Sequence, residues 1–540
     1  MNIPKKMFLF KYYQKNMVWK NKQTKVMKVK LKRLRRTDKL LQKDSRKRNK
    51  ISIFMAYLFA LFISHVSDSA TPKPHLTIYE LIYSTEENLS PGYYYDTPSI
   101  STYTSEDNPV SWEEYSVREK TMSHLPNAAK KPIPPLVRLP TNHHRQLTTV
   151  LEAKALDFSF PSEHERHSAL SDGRYNPMNV LPVDVDAYSP SNGKTQIYVT
   201  IPRFDKGPPY SLARVRNPGP RHSGIQLEAY PDYSWHRSYG ADCDGLTSVY
   251  RVKIDACNRM WILDSGEIGR NHTCPPQIVV FDISTHRMVH RYRLPGTVFV
   301  RNYSRLITIA VDITDPPPNG KCLKAFAYIA DATSFALIVY DMIHENSWRV
   351  ENRFTYPSPL FSTLTVAGES FQLLDGVFGI SITPEGLGLQ RMLYFHSVSN
   401  DIQASVPLHV INNATNFLIP DISACLGNFT EVGKRGIQCT VSEMSPQGYL
   451  LCGFFDPIAL VGWDIRTSYT AEHRFVLAEN AETLQFIGGL KIAPNAQGKL
   501  EVWILSNRAQ KFFSGTNNFH EVNYRILKCG LDELLLGLPC

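Results

Sequence analysis

The sequence predicts an all-β chain closed into a six-bladed β-propeller, and three observations carry that prediction. A unit of apolar strand, Gly/Pro/Asn turn, apolar strand, polar loop and third apolar strand recurs six times between Leu181 and Phe513. The second strands of the copies begin near Gln196, Met260, Phe326, Met392, Tyr449 and Glu501, at spacings of 64, 66, 66, 57 and 52 residues. No long amphipathic helical stretch falls between the strands, which argues against α/β folds.

The copies run in order. The first is LPVDVDAYSPSNGKTQIYVTIPRF from Leu181, and the second VYRVKIDACNRMWILDSG from Val249, followed by QIVVFDI. The third starts at Leu306, the fourth at Val377, the fifth at Ile437 and the sixth at Ile487. One copy alone cannot bury both of its faces, and closing a ring removes exposed edges. Two ordinary β-sandwiches would not keep the first turn at so regular an offset. Leu147 to Phe160 precedes the first copy and is expected to supply the outer strand of the last blade. The C-terminal LKCGLDELLLGLPC reads as a short helix or a return strand.

Three segments follow: residues 1–70, 71–146 and 147–540. The net charge of +10 over 540 residues hides an asymmetry. Residues 1–50 hold 19 Lys/Arg against Asp38 and Asp44, while the remainder holds 41 basic and 48 acidic residues. A basic head on a mildly acidic body does not describe a nucleic-acid-binding domain. The head runs into ISIFMAYLFALFI, residues 51–63, then small and polar residues, which is the order of a secretory signal. Thirteen residues are short of a membrane span. Membrane attachment is expected only if the signal stays uncleaved as an anchor. The n-region is unusually long, and a start at Met27 would shorten it. Residues 71–146 are rich in Pro, Ser, Thr and Tyr and read as irregular, either a solvated tail or a tyrosine arm for cross-linking in an extracellular coat.

None of the nine cysteines forms a C-x-x-C pair, so no metal site is expected from them and disulfides are the default in an exported chain. Cys257 and Cys322 fall in corresponding turns of adjacent blades and are expected to pair. The odd count leaves at least one thiol unpaired or intermolecular. Asn-x-Ser/Thr sequons at Asn88, Asn271, Asn302, Asn413 and Asn428 are candidate glycosylation sites.

Several long motifs occur in fixed order: DFSFPSEHERHSAL (157–170), VTIPRF (199–204), CDGLTSVYRVKIDACNRMWILDSG (243–266), QIVVFDI (277–283) and WILSNRAQKFFSGT (503–516). On these words the chain resembles the Yellow/major royal jelly family, over about Leu147 to Phe513. The resemblance implies a secreted six-bladed propeller. It also implies one of several roles: cuticle or eggshell pigmentation and hardening, dopachrome conversion, biogenic-amine binding, or nutrition. In amine-binding relatives the S-N-R motif contributes an Asn and an apolar wall. Asn507 matches the former, whereas Ala509 stands where the family has a larger residue. Cys452 to Pro457 likewise replaces a more aliphatic stretch.

Ligands of propellers dock where loops gather at one channel mouth. Topology nominates Arg203, Asp205, Asp242, Asp244, Asp264, Glu267, Asp331, Asp375, His396, Asp456, Asn507 and Arg508 for that mouth. Carboxylates there would hold an ammonium group, and Phe454 and Phe455 would supply ring contacts, which suits a biogenic amine or catechol. Asp in a strand–loop turn also caps its own backbone, so each has a structural reading. For turnover of a dopachrome-like substrate, His396 with Arg203 or Arg508 is the nominated proton-transfer pair. H-E-x-x-H, G-x-S-x-G, P-loop and dinucleotide fingerprints are absent. No cofactor is expected; Ca²⁺ on the carboxylates, as in lactone-opening propeller hydrolases, is the alternative. The reading is a secreted, Yellow-like binder or converter of a dopa-derived molecule, with enzyme activity left open. The alternatives are a non-enzymatic coat protein partnered by matrix proteins and a metal-dependent hydrolase.

Overall fold

A computed structural model describes residues 136–138, 147–216, 225–418 and 427–538. The basic head, the apolar segment 51–63, Asn88, the Tyr-rich stretch to residue 135, Cys425 and Cys540 lie outside the described residues.

Six antiparallel sheets form the blades of a six-bladed β-propeller. Their innermost strands are Asp184–Tyr188, Val249–Ile254, Leu306–Ile313, Val377–Ile382, Cys439–Met444 and Phe486–Pro494. Each packs beside the next, and the sixth returns to the first. The second strands are Gln196–Thr200, Arg259–Asp264, Ala325–Asp331, Met392–Ser397, Tyr449–Phe455 and Leu500–Asn507, matching the repeat read from sequence.

Local chemistry sets the hairpins. In blade 2 the turn between Val249–Ile254 and Arg259–Asp264 is organised by one carboxylate. Asp255 accepts from the backbone N–H of Cys257 (2.8 Å) and Arg259 (3.0 Å) and from Trp261 Nε1 (2.8 Å). Asn258 takes the positive φ of +56° that the tight reversal needs. Cys257, in this turn, is disulfide-bonded to Cys322 in the matching turn of blade 3. Two further disulfides join Cys243 to Cys274 and Cys439 to Cys452.

Blade 6 is completed from the other end of the chain. Its inner three strands end with Tyr524–Gly530, and the fourth, Thr148–Ala153, pairs antiparallel with it through Leu151↔Ile526. Blades 1 and 5 each gain a short parallel outer strand, Leu156–Phe158 and Val137–Arg138. These additions cover edges that would otherwise template aggregation. The C-terminal motif is both things the sequence allowed: Tyr524–Gly530 is a strand and Leu531–Leu535 a short helix.

The core lies between blades, where Val, Ile, Leu and aromatic residues of facing sheets interlock in several clusters. Close approach of inner strands demands glycine at Gly489, where a Cβ would lie 2.7 Å from the backbone N of Val185. Among the described residues no helix is long and apolar enough to cross a membrane.

Candidate functional site at the channel mouth

The loops that precede the inner strands and follow the second strands meet at one end of the ring. Most residues nominated there from sequence are engaged in holding the fold. Asp264 is fully buried and accepts from the backbone N–H of Thr247 (2.8 Å), Ser248 (2.7 Å) and Gly266 (3.1 Å) and from Gln277 Nε2 (3.0 Å). Asp331, equally buried, accepts from Ser304 Oγ (2.5 Å), the N–H of Arg305 and Ser334, and Arg349 Nη1 (2.8 Å). Arg203 is enclosed, donates to the carbonyls of Thr247, Pro208 and Pro209, and lies over the Tyr239 ring at 3.9 Å.

The nominated proton-transfer pair is not brought together. His396 is buried against Gly379, with Nε2 2.9 Å from the Thr440 carbonyl. Burial and the Arg435 guanidinium push its pKa down to about 3. Arg508 is ion-paired with Glu521. No described hydrogen bond or ion pair joins His396 to either arginine. Phe454 packs around the Cys439–Cys452 disulfide, and Phe455 against Phe486 with centroids 5.3 Å apart. Asp205, Asp242, Asp244 and Asp456 are exposed on the rim, where Asp244 meets Arg293 at 2.6 Å.

A different constellation remains. Glu267 and Arg305 form a two-pronged pair, Nη2–Oε1 2.8 Å and Nε–Oε2 3.0 Å. Arg305 also donates to the Gly269 carbonyl, and no described hydrogen bond uses its Nη1. Asp375 is half-buried, and its backbone alone is engaged, by Ser399. Burial pushes its pKa up to about 6, against the pull of Arg305 and with a further push from Glu267. The Tyr250 phenol feels both Arg305 and Asp375, and its burial raises its pKa, so it stays protonated.

Aromatic rings surround this cluster. Phe204 meets Tyr250 edge-on at 5.5 Å, Phe513 at 5.6 Å and Phe512 at 6.0 Å. Phe378 packs against three core clusters at once, as a ring near the channel axis must. The helix Ala509–Phe513 lies on the hairpin Thr363–Val366/Glu369–Gln372. Lys511 to Glu369 at 2.7 Å and Phe371 stacked on Phe513 at 5.6 Å fasten the two. Together these segments roof the mouth.

A family model described as major royal jelly protein matches residues 247–540. The chain is similar to dopaminechrome tautomerase of Drosophila melanogaster, 32% identical over 73% of this chain and 84% of the relative. It is similar to major royal jelly protein 9 of Apis mellifera, 31% identical over 72% of this chain and 88% of the relative. Protein yellow of Drosophila melanogaster is 31% identical over 71% of this chain and 69% of its own length. The chain belongs to the major royal jelly protein family.

In this family member the S-N-R motif builds a joint. Asn507 is buried; its Nδ2 donates to the Pro182 carbonyl (2.8 Å) and its Oδ1 accepts from the Ala509 N–H (3.0 Å). It ties blade 6 to the entry of blade 1 and starts the roof helix. Ala509 is itself 2% exposed, so the small residue sits inside this packing. Among the described residues no three carboxylates gather as cation ligands. The one His/Cys/Asp/Glu trio is His396 with Cys439 and Cys452, and those cysteines are joined to each other. Asn271, Asn302, Asn413 and Asn428 are all exposed.

Sequence reasoning missed Arg305 and Tyr250. Both sit at the mouth end of an inner strand, the position that nominated Asp375. Reading that position for cations and phenols as well as carboxylates would have found them.

Proposed function

We propose that this member of the major royal jelly protein family is a secreted, pigmentation-related protein that binds and tautomerises a dopa-derived aminochrome under the aromatic roof. The observation that carries the reading is the Asp375 carboxylate. Its pKa is raised to about 6, no described hydrogen bond caps it, and Arg305 stands beside it. A base poised near neutral pH is what abstraction of a carbon-bound proton requires.

In the step proposed, the ring C–H proton passes to Asp375. The C–H electron pair moves into the ring and the quinonoid oxygen gains negative charge. Arg305 stabilises that charge while the protonated Tyr250 phenol supplies the proton the oxygen takes up. Atoms and electrons balance within the tautomerisation: Asp375 gives its proton up to solvent, and a proton from solvent restores the Tyr250 phenol. Phe204 and Phe378 offer faces to the planar substrate. The name of the Drosophila relative, dopaminechrome tautomerase, supports this substrate class.

Secretion is supported by the apolar segment 51–63 and by three disulfides. Glycans on the four exposed sequons belong to the same reading, and cuticle or eggshell is the proposed site of action.

The test is decay of dopachrome and dopaminechrome absorbance with the purified protein, in EDTA-containing buffer. Asp375→Asn should slow turnover by about 10²-fold or more, the usual worth of a general base. Arg305→Gln should lower kcat more than it raises KM. Saturable binding without turnover by the unmodified protein would leave a carrier and remove the enzyme reading. Turnover untouched by Asp375→Asn would remove the mechanism.

A further inference from the structure

Deeper in the ring lies a cavity of about 200 Å³, lined by inner-strand residues that include Arg251, Lys253, Ser381, Ser442, Glu443 and Lys491. That is the volume of about six or seven waters. Along the inner strand of blade 4, Phe378 precedes the lining residues Ile380, Ser381 and Ile382, so the ring stands between the mouth and this cavity.

The charges of the cavity are paired, with one exception. Lys253 meets Glu443 at 2.9 Å. Lys491 takes both oxygens of Asp184 at 2.8 and 2.9 Å. Arg391 holds Asp312 through two bonds of 2.9 and 2.7 Å. Arg251 has no carboxylate of its own. Its Nη1 donates to the Ile307 carbonyl (2.8 Å) and Thr308 Oγ1 (3.2 Å), its Nη2 to the Gly488 carbonyl (3.0 Å), and all three acceptors are neutral. Its Nε is buried without a partner, and the residue is only 3% exposed. The nearest carboxylate influence, Asp184, is already committed to Lys491. Burial holds the Arg251 pKa down to about 10, the mark of a cation short of counter-charge.

We propose that this cavity is a second ligand site, for a small monocarboxylate of about six non-hydrogen atoms, whose carboxylate would neutralise Arg251. The hydroxyls on the wall suit that occupant. Ser381 donates to Ser442 Oγ at 2.9 Å, which frees the Ser442 proton for a ligand oxygen. Apolar wall from Ile309, Val311, Ile380 and Val441 takes the carbon end.

Isothermal titration of the purified protein with sodium lactate, in chloride-free buffer of fixed ionic strength, tests this. One saturable site is expected. Arg251→Gln should weaken it at least tenfold. Because that guanidinium also ties blades 2, 3 and 6 together, Ser442→Leu is the second variant: it fills the cavity, leaves Arg251 in place and should abolish the heat. Asp375→Asn should bind lactate unchanged, so loss of the mouth chemistry and loss of this site are read separately. No lactate heat, saturation by bromide but not lactate, or binding that survives Ser442→Leu would each overturn the assignment.

Discussion

Asp331 and Asp375 look alike in the sequence: each is an acid at a strand–loop junction of neighbouring blades. In the structure they are opposites. Asp331 is fully buried and receives four hydrogen bonds, one of them from the Arg349 guanidinium, so its carboxylate is committed to the fold. Asp375 is half-buried with a carboxylate that no described hydrogen bond caps, and burial disfavours its ionised form. The difference teaches that neither residue type nor topological place separates a carboxylate that holds the fold from one left uncapped. The number of N–H and O–H groups aimed at the carboxylate does.

Variants can break this comparison. The largest effect is expected from Asp331→Ala, which removes the shared acceptor of Ser304, Arg305 and Ser334 and the buried one of Arg349's two carboxylate partners. Urea denaturation should show a loss of about 3–5 kcal/mol, the range for removing one partner of a buried charged pair. Next comes Gly379→Ala at the other acid's blade. The new Cβ would lie 2.1 Å from His396 Cε1, and the His396 ring is walled in. A loss of about 1–3 kcal/mol is expected from such overpacking, read as a lowered Tm.

Asp375→Asn should move the other way, stabilising the fold at pH 7 by about 1 kcal/mol. The sign follows from its raised pKa. Between the ordinary value of 3.8 and about 6, the folded state binds more protons than the unfolded state. Stability from this group therefore falls as pH rises through that window, and the Asn variant lacks the fall. Denaturation midpoints from pH 4 to 7 read it directly, and parallel slopes for the two proteins would refute the pKa assignment. The smallest effect is assigned to Asp242→Ala on the exposed rim, within about ±0.5 kcal/mol and with turnover unchanged. A large loss of turnover there would sharpen the comparison by extending the working site outward.

The blades were legible because their signal is periodic: strand alternation and turn chemistry repeat at nearly constant spacing from Gln196 to Leu500. The latch by Thr148–Ala153 was legible too, from its place before the first copy. The outer strands Leu156–Phe158 and Val137–Arg138 were not, since two or three residues carry no period and their parallel pairing depends on partners far along the chain. The site was legible only in part. Asp375 could be nominated, but Arg305 and Tyr250 read as ordinary strand residues, and the burial that makes them matter is a tertiary property. His396 misled for the same reason. A histidine on a second strand carries no sign in sequence that it lies flat against a glycine, packed and neutral.

The latch also bears on how the chain is made. Thr148–Ala153 leaves the ribosome before any blade, yet its partner Tyr524–Gly530 follows all six inner strands. While the six inner strands are made the strand has nowhere to go, and ring closure waits on Tyr524–Gly530. A premature stop or frameshift anywhere ahead of Tyr524 leaves two open edges instead of one closed circle. The last blade is thus the point at which a closed ring differs from an open one.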